Sequence, residues 1–126
     1  MKKKILVVDD EKDILDILEA ILSNAGYDVI KALGGREAVS IAKKERPDLI
    51  ILDIKMPDMD GGQTTDVLKN YRQTRDIPII YLSSLVNKTE LEKDGYVLGS
   101  KIGDMHFVPK SASPGELVEI VKKSIG

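Results

Sequence analysis

The sequence predicts an α/β fold: a doubly wound parallel sheet of five strands in the order 2-1-3-4-5, with five helices. Three observations carry the prediction. Short apolar runs recur along the chain, each stopped by polar or turn residues, as in strands buried on both faces. Stretches with helical spacing separate them, so strand and helix alternate five times. No internal repeat, linker or low-complexity segment interrupts that alternation.

The first strand is Ile5 to Val8, ending in Asp9 and Asp10. From Glu11 the period changes, and Ile14, Ile17, Leu18, Ile21, Leu22 and Ala25 recur at helical spacing until Gly26 caps the helix. Tyr27 to Ile30 is the second strand, and Gly34-Gly35 a turn. The second helix runs from Glu37 to Glu45 with Ala38, Val39, Ile41 and Ala42 inward, and stops before Pro47. The third strand, Asp48 to Asp53, sends Leu49-Ile50-Ile51-Leu52 straight into a carboxylate, and the turn Met56 to Gly61 follows at once. A helix from Gln63 to about Thr74 is expected to bury Val67, Leu68 and Tyr71. Pro78 to Leu82 is the fourth strand, ending in Ser83-Ser84. Thr89 to Ile102 is helix-like but interrupted by Gly95 and Gly99, which predicts an irregular fourth helix. Met105 to Val108 is the fifth strand, ending in Pro109-Lys110, and it includes the only histidine, His106, which has no catalytic role in this reading. The last helix has the clearest start in the chain: Ser113 caps, Pro114 takes the first helical position, and Glu116 completes a capping box.

Bulk properties narrow the function classes. A chain of 126 residues, 42% apolar and 32% charged, fits one soluble domain spanning residues 1–126. A net charge of −2 gives no footprint for direct nucleic-acid binding. With no cysteine and one histidine, thiol chemistry, disulfides and Cys/His zinc sites are excluded. Lys2-Lys3-Lys4 precedes only four apolar residues, too few for a signal-peptide core or a membrane span, so a cytoplasmic location is the default.

In the predicted order, strands one and three are neighbours, so Asp9, Asp10 and Asp53 converge at the edge where open α/β sheets bind ligands. Each pair of carboxylates about 4 Å apart costs ~1 kcal/mol in water and ~4 kcal/mol at an effective dielectric of 20, so the set calls for a cation. Oxygen ligands without His or Cys suit a hard metal such as Mg²⁺. Ser83 and Lys110 reach the same edge and add a hydroxyl donor and a positive charge. Carboxylate, hard metal, lysine and hydroxyl together suit phosphoryl transfer, with Asp53 as the nucleophile. No Gly-rich nucleotide loop is present, so the phosphoryl group is expected from another protein or a small phosphodonor rather than directly from ATP.

These residues carry a family resemblance. Val7-Val8-Asp9-Asp10-Glu11, then Asp53-x-x-Met56-Pro57-x-Met59-Asp60-Gly61, then Ser83 and Lys110 resemble the receiver domain of response regulators in two-component signalling, whose fold is flavodoxin-like. The resemblance covers nearly the whole chain. It implies that Asp53 is the phospho-acceptor and that Asp9 and Asp10 are the acidic pair, with Asp10 the favoured direct ligand of Mg²⁺. It further implies that the Lys55 carbonyl is the third protein ligand, Ser83 the switch hydroxyl, Phe107 the switch aromatic and Lys110 the phosphate-pairing lysine. Implied partners are a histidine kinase or histidine phosphotransfer protein, and a downstream target or attached output domain reached through the surface of the fourth and fifth strands and helices. No membrane insertion is implied, and the chain would not be an enzyme in its own right. Where the family carries Lys-Pro, this chain has Lys110-Ser111, and a cis bond there would cost about 2.5–4 kcal/mol, so trans is expected. The stretch from Ser83 to Lys110 is longer than the family norm by roughly one helical turn.

Simpler readings stand beside these. Asp9 and Asp10 also suit a helix N-cap, Met56 to Gly61 a tight turn, and Ser83 a loop cap. Leu15 and Leu22, at one margin of the first helix's apolar stripe, either close the core or dock the phosphodonor's helices. Leu85, two residues after Ser83, is expected to exclude water and lengthen the phosphorylated state. Two other functions compete: a receiver-like interaction module that is not phosphorylated, and a flavodoxin-like cofactor binder, which the acidic pocket disfavours.

Overall fold

A computed structural model describes residues 2–83, 101–102 and 105–126. Strands β1 (Lys4–Val8), β2 (Asp28–Ala32), β3 (Leu49–Asp53), β4 (Ile79–Ser83), β5 (Lys101–Ile102) and β6 (Met105–Pro109) form one sheet in the order β2-β1-β3-β4-β6-β5. The first five in that order are parallel, which is the predicted 2-1-3-4-5 arrangement. Among the described residues there are four helices: α1 (Lys12–Asn24), α2 (Gly35–Glu45), α3 (Gly61–Lys69) and α4 (Pro114–Ile125).

Successive side chains on a strand point to opposite faces, and here both faces are buried. Ile5 and Val7 of β1, Leu49 and Ile51 of β3, and Leu82 of β4 pack with Leu15, Leu18 and Leu22 of α1 and Leu117 and Val121 of α4. Leu6, Val8, Ile50, Leu52, Tyr81 and Phe107 face the other way, onto Ala38 and Ala42 of α2 and Leu68 of α3. Leu49 to Leu52 are all completely buried, contributing about 1.5–3 kcal/mol each by removal from water. The central strands are therefore the stable floor on which the strand-end residues stand.

Local signals set most boundaries. Gly26 takes φ +99° just past α1, as a helix C-terminus requires. Ser113 caps α4 and Glu116 reaches back to it, as predicted. The same reciprocal box, from Asp60 and Gln63, starts α3 two residues earlier than expected. That helix ends at Lys69, not near Thr74, so Tyr71 falls beyond it and lies exposed under the Lys43 ammonium, 3.9 Å from the ring centroid. Strand β2 runs to Ala32 because its partner β1 continues to Val8, and α2 begins at Gly35. Arg46 ends α2 in the left-handed region, φ 46°, immediately before Pro47.

Two further expectations change. Lys101 and Ile102 are strand rather than the end of a helix, paired antiparallel with β6 through Ile102↔Met105. The antiparallel partner strand, which the local spacing does not show, outweighs the helical pattern there. The remainder of the expected fourth helix, Thr89 to residue 100, lies outside the described residues, as do Leu85 and the orientation of His106. On α1 the apolar stripe is wider than the sheet contact. Leu15 and Leu22 are core, whereas Ile17 is 56% exposed, so the free margin is opposite to the one proposed for docking.

Candidate functional site

Parallel register brings the tips of β1, β3, β4 and β6 together. Val8 pairs with Leu52, Asp53 with Leu82, and Ser83 with Pro109, so the residues after each run share one edge. Asp9 and Asp53 are buried there and Asp10 is exposed, with one oxygen of each carboxylate inside a 4.8 Å cluster. Lys110 bridges the two buried acids: its Nζ lies 2.9 Å from Asp9 Oδ2 and 3.2 Å from Asp53 Oδ2. The lysine is aimed by its own backbone, whose N–H donates to the Ser83 carbonyl at 2.7 Å. No cis peptide occurs among the described residues, so a trans Lys110-Ser111 bond delivers the ammonium to the pocket.

The second oxygens are tethered to backbone. Asp9 Oδ1 accepts from the Glu11 N–H at 3.0 Å, and Asp53 Oδ1 from the Lys55 N–H at 3.4 Å. Glu11, not an aspartate, is the N-cap of α1 and makes no side-chain cap bond, so the acidic pair is not an ordinary cap. Gly61 closes the turn after β3: its N–H donates to the Ile54 carbonyl at 2.7 Å, and a Cβ there would lie 2.9 Å from the Asp53 carbonyl oxygen. Only glycine lets the chain return that closely.

Burial, and then the neighbouring Asp9, hold the Asp53 carboxyl above its usual value, despite the opposing pull of Lys110. For Lys110 burial works against the charge, but the bonds and charges of Asp9 and Asp53 outweigh it and raise its pKa. One lysine thus serves two buried acids and satisfies neither fully. Asp9 Oδ2 is the one buried side-chain oxygen among the described residues without an aligned hydrogen bond; the ammonium beside it matches its charge but not its direction. A buried oxygen faced only by a poorly aligned ammonium, within a three-carboxylate cluster, fits a hard divalent cation.

Of the remaining predicted residues, Ser83 is buried at the same edge and Lys55 is exposed on the rim. Phe107 stands back from the pocket, stacked on Tyr81 with ring centroids 5.2 Å apart. The Tyr81 hydroxyl bonds Thr65 of α3, linking the aromatic pair to that helix. Sequence reading missed this contact, because Tyr81 reads as one more strand apolar until its polar tip meets a partner.

Comparison with known proteins decides the family. The response regulator receiver domain family matches residues 5–122. This chain belongs to that family. A curated relative, the probable transcriptional regulator ycf27 of Porphyridium aerugineum, is 43% identical over 116 residues, which is 92% of this chain. The chain spans 45% of that relative's length. Among solved structures, the chemotaxis protein CheY4 of Vibrio cholerae is 29% identical with a TM-score of 0.81, covering 98% of this chain and 99% of that one. The receiver domain of a signal transduction histidine kinase from Syntrophus aciditrophicus is 32% identical with a TM-score of 0.78, covering 98% and 89%. Receiver domains act in phosphorelay signalling as phospho-acceptors, and their partners are histidine kinases and output domains. Among the described residues no helix is long and apolar enough to cross a membrane.

Proposed function

We propose that residues 1–126 form a single receiver domain that takes a phosphoryl group onto Asp53 from the phosphohistidine of a kinase or phosphotransfer protein, in the cytoplasm and with Mg²⁺. The observation that supports this best is the placement of Asp53: a buried carboxylate at a strand tip, 3.2 Å from a lysine and clustered with two further acids. An Asp53 Oδ attacks phosphorus in line, the phosphorus–nitrogen bond to the donor imidazole breaks, and the imidazole leaves with the bonding pair and takes up a proton. The product is an acyl phosphate, which water later hydrolyses back to the carboxylate and phosphate. Asp9, Asp10, Asp53 and the Lys55 carbonyl would hold the Mg²⁺, which when bound offsets the negative charge shared by the carboxylates and the phosphoryl oxygens. Lys110 leaves its bridge to pair with a phosphoryl oxygen, and the Ser83 hydroxyl donates to another. Withdrawing Ser83 toward the phosphoryl group shifts the space beside Phe107, and the surface over β4 and β6 passes the state to a target or output domain. The chain modifies itself and turns over no separate substrate, so it is not an enzyme in this reading.

The donor's helices would meet the free margin of α1. Ile14, Ile17 and Ile21 border a groove of about 160 Å³ with Pro109 and Pro114, and Lys110 lies at its pocket end. Incubation with Mg²⁺ and acetyl phosphate is expected to add one phosphoryl group, seen by intact-protein mass spectrometry and absent in Asp53→Ala. No adduct on the wild type would favour an interaction module that works without phosphate.

A further inference from the structure

Helix α2 begins without a cap of its own. Its N-cap, Gly34, has no side chain, yet the first N–H groups of a helix need acceptors. The acceptor comes from the loop after β3. Asp58 Oδ1 accepts from the Gly35 N–H at 3.2 Å, and Asp58 Oδ2 from the Arg36 N–H at 3.1 Å.

The fit is reciprocal. A Cβ on Gly34 would lie 2.8 Å from Asp58 Oδ2, and one on Gly35 would strike Thr64 Oγ1 and lie 2.8 Å from Met59 Cβ. A self-capping Ser or Asp at position 34 would therefore push Asp58 away. Glycine at both positions makes room for a cap delivered across the rim.

The clamp sits beside the acidic pocket. Asp10, Gly34, Pro57 and Asp58 line one open cleft. The loop between Asp53 and α3 is fixed at its ends by backbone: the Ile54 N–H donates to Leu82 at 3.1 Å, and the Gly61 N–H to Ile54. In its middle, Met56 is buried in the core and Pro57 has no N–H to give. Lys55 is tied at its N–H to Asp53 Oδ1, and Asp58 is the polar tie that holds the stretch after it to α2.

We propose that Asp58 is a positioning residue for the cation site: by capping α2 from across the rim, it holds the loop that carries the Lys55 carbonyl, which would be one of the ligands. This rests on the cation reading of the pocket given above. Residues one step behind a metal's ligands shift its affinity by roughly 10- to 100-fold when removed. Their effect comes through orientation rather than contact.

The test is Mn²⁺ binding to the full chain, read from the free-ion electron paramagnetic resonance signal, beside thermal melts of the same samples. Asp58→Ala is expected to weaken Mn²⁺ binding roughly tenfold. Asp58→Asn keeps one of the two acceptors and sets an amide donor against the other N–H, so it should recover only part of that affinity. The double variant Asp58→Ala with Gly34→Ser gives α2 a local cap in the space vacated by the carboxylate. It should recover thermal stability while Mn²⁺ binding stays weak. Wild-type affinity in Asp58→Ala, or restored affinity in the double variant, would overturn the proposal. A wild-type chain that binds no Mn²⁺ would overturn the cation reading itself.

Discussion

Asp53 and Asp58 stand five residues apart on one strand–loop segment, and the fold treats them oppositely. Asp53 is buried beside a second carboxylate, and its pKa is raised. Asp58 is exposed, and the amides of Arg36 and Gly35 hold its carboxyl below the usual range. Within a few residues of chain, one acid is kept where its charge is disfavoured and the other where its charge is fully used. The first arrangement costs stability, which a cation in the acidic cluster would offset. The second contributes stability and keeps the surrounding loop still. A carboxylate whose charge is disfavoured thus has a well-satisfied one five residues away.

The contrast is broken most severely at Lys110. Lys110→Ala leaves Asp9 and Asp53 buried together without a cation, and losing one partner of a buried ionic cluster costs about 3 kcal/mol. Urea unfolding in EDTA should show that loss, and adding Mg²⁺ should return part of it. A Lys110→Ala chain as stable as wild type in EDTA would mean that the two acids do not share the lysine.

Asp53→Asn tests the raised pKa, with a smaller effect of opposite sign. A carboxyl whose folded pKa lies above its unfolded value binds more protons when folded, so stability falls as pH rises through that interval. Thermal melts in EDTA should therefore show Asp53→Asn more stable than wild type at neutral pH. The gap should close as pH falls to the ordinary carboxylate range.

Asp58 gives the mirror-image profile. Its folded pKa is lowered, so its contribution is complete above the usual carboxylate value and is lost as pH falls through the lower one. Asp58→Ala, which costs about 1 kcal/mol as a lost helix cap, should flatten that part of the acid limb of the melting curve.

The mildest test lies at the far end of α2. Arg46 holds a left-handed conformation that glycine adopts freely, so Arg46→Gly should raise stability by up to about 1 kcal/mol. Mn²⁺ affinity should not change. A shift in affinity would mean that α2 acts on the pocket as a whole rather than through its Asp58-capped start.

The features that sequence reading found are those written along one stretch of chain. An apolar run that stops at Asp53, another at Asp9-Asp10 and a third near Lys110 place those side chains at strand tips once the strands are parallel. The Ser113–Glu116 box is equally local. What was not legible depends on partners distant in sequence. The stripe on α1 is apolar over nearly half its circumference, and nothing within the helix says that the sheet lies on the Leu15 side and leaves Ile17 outside. Tyr71 looks buried until Lys43 is known to lie over its ring. The Asp58 clamp joins residues 22 and 23 positions apart, although a helix opening on Gly34-Gly35 with no capping side chain was a sign that a cap had to come from elsewhere.

The sheet order carries one last consequence. Asp9 and Asp53 ride on β1 and β3, which have strands on both sides and helices on both faces, whereas Lys110 follows β6, covered on its outer side by the two-residue β5. Strand amides beneath the two acids should exchange with solvent only when the whole domain opens, and those of β6 sooner. The acids are the anvil of this pocket. The lysine stands on the less enclosed strand, so under the proposed phosphoryl transfer the β6 edge is where a change at Asp53 would reach the surface.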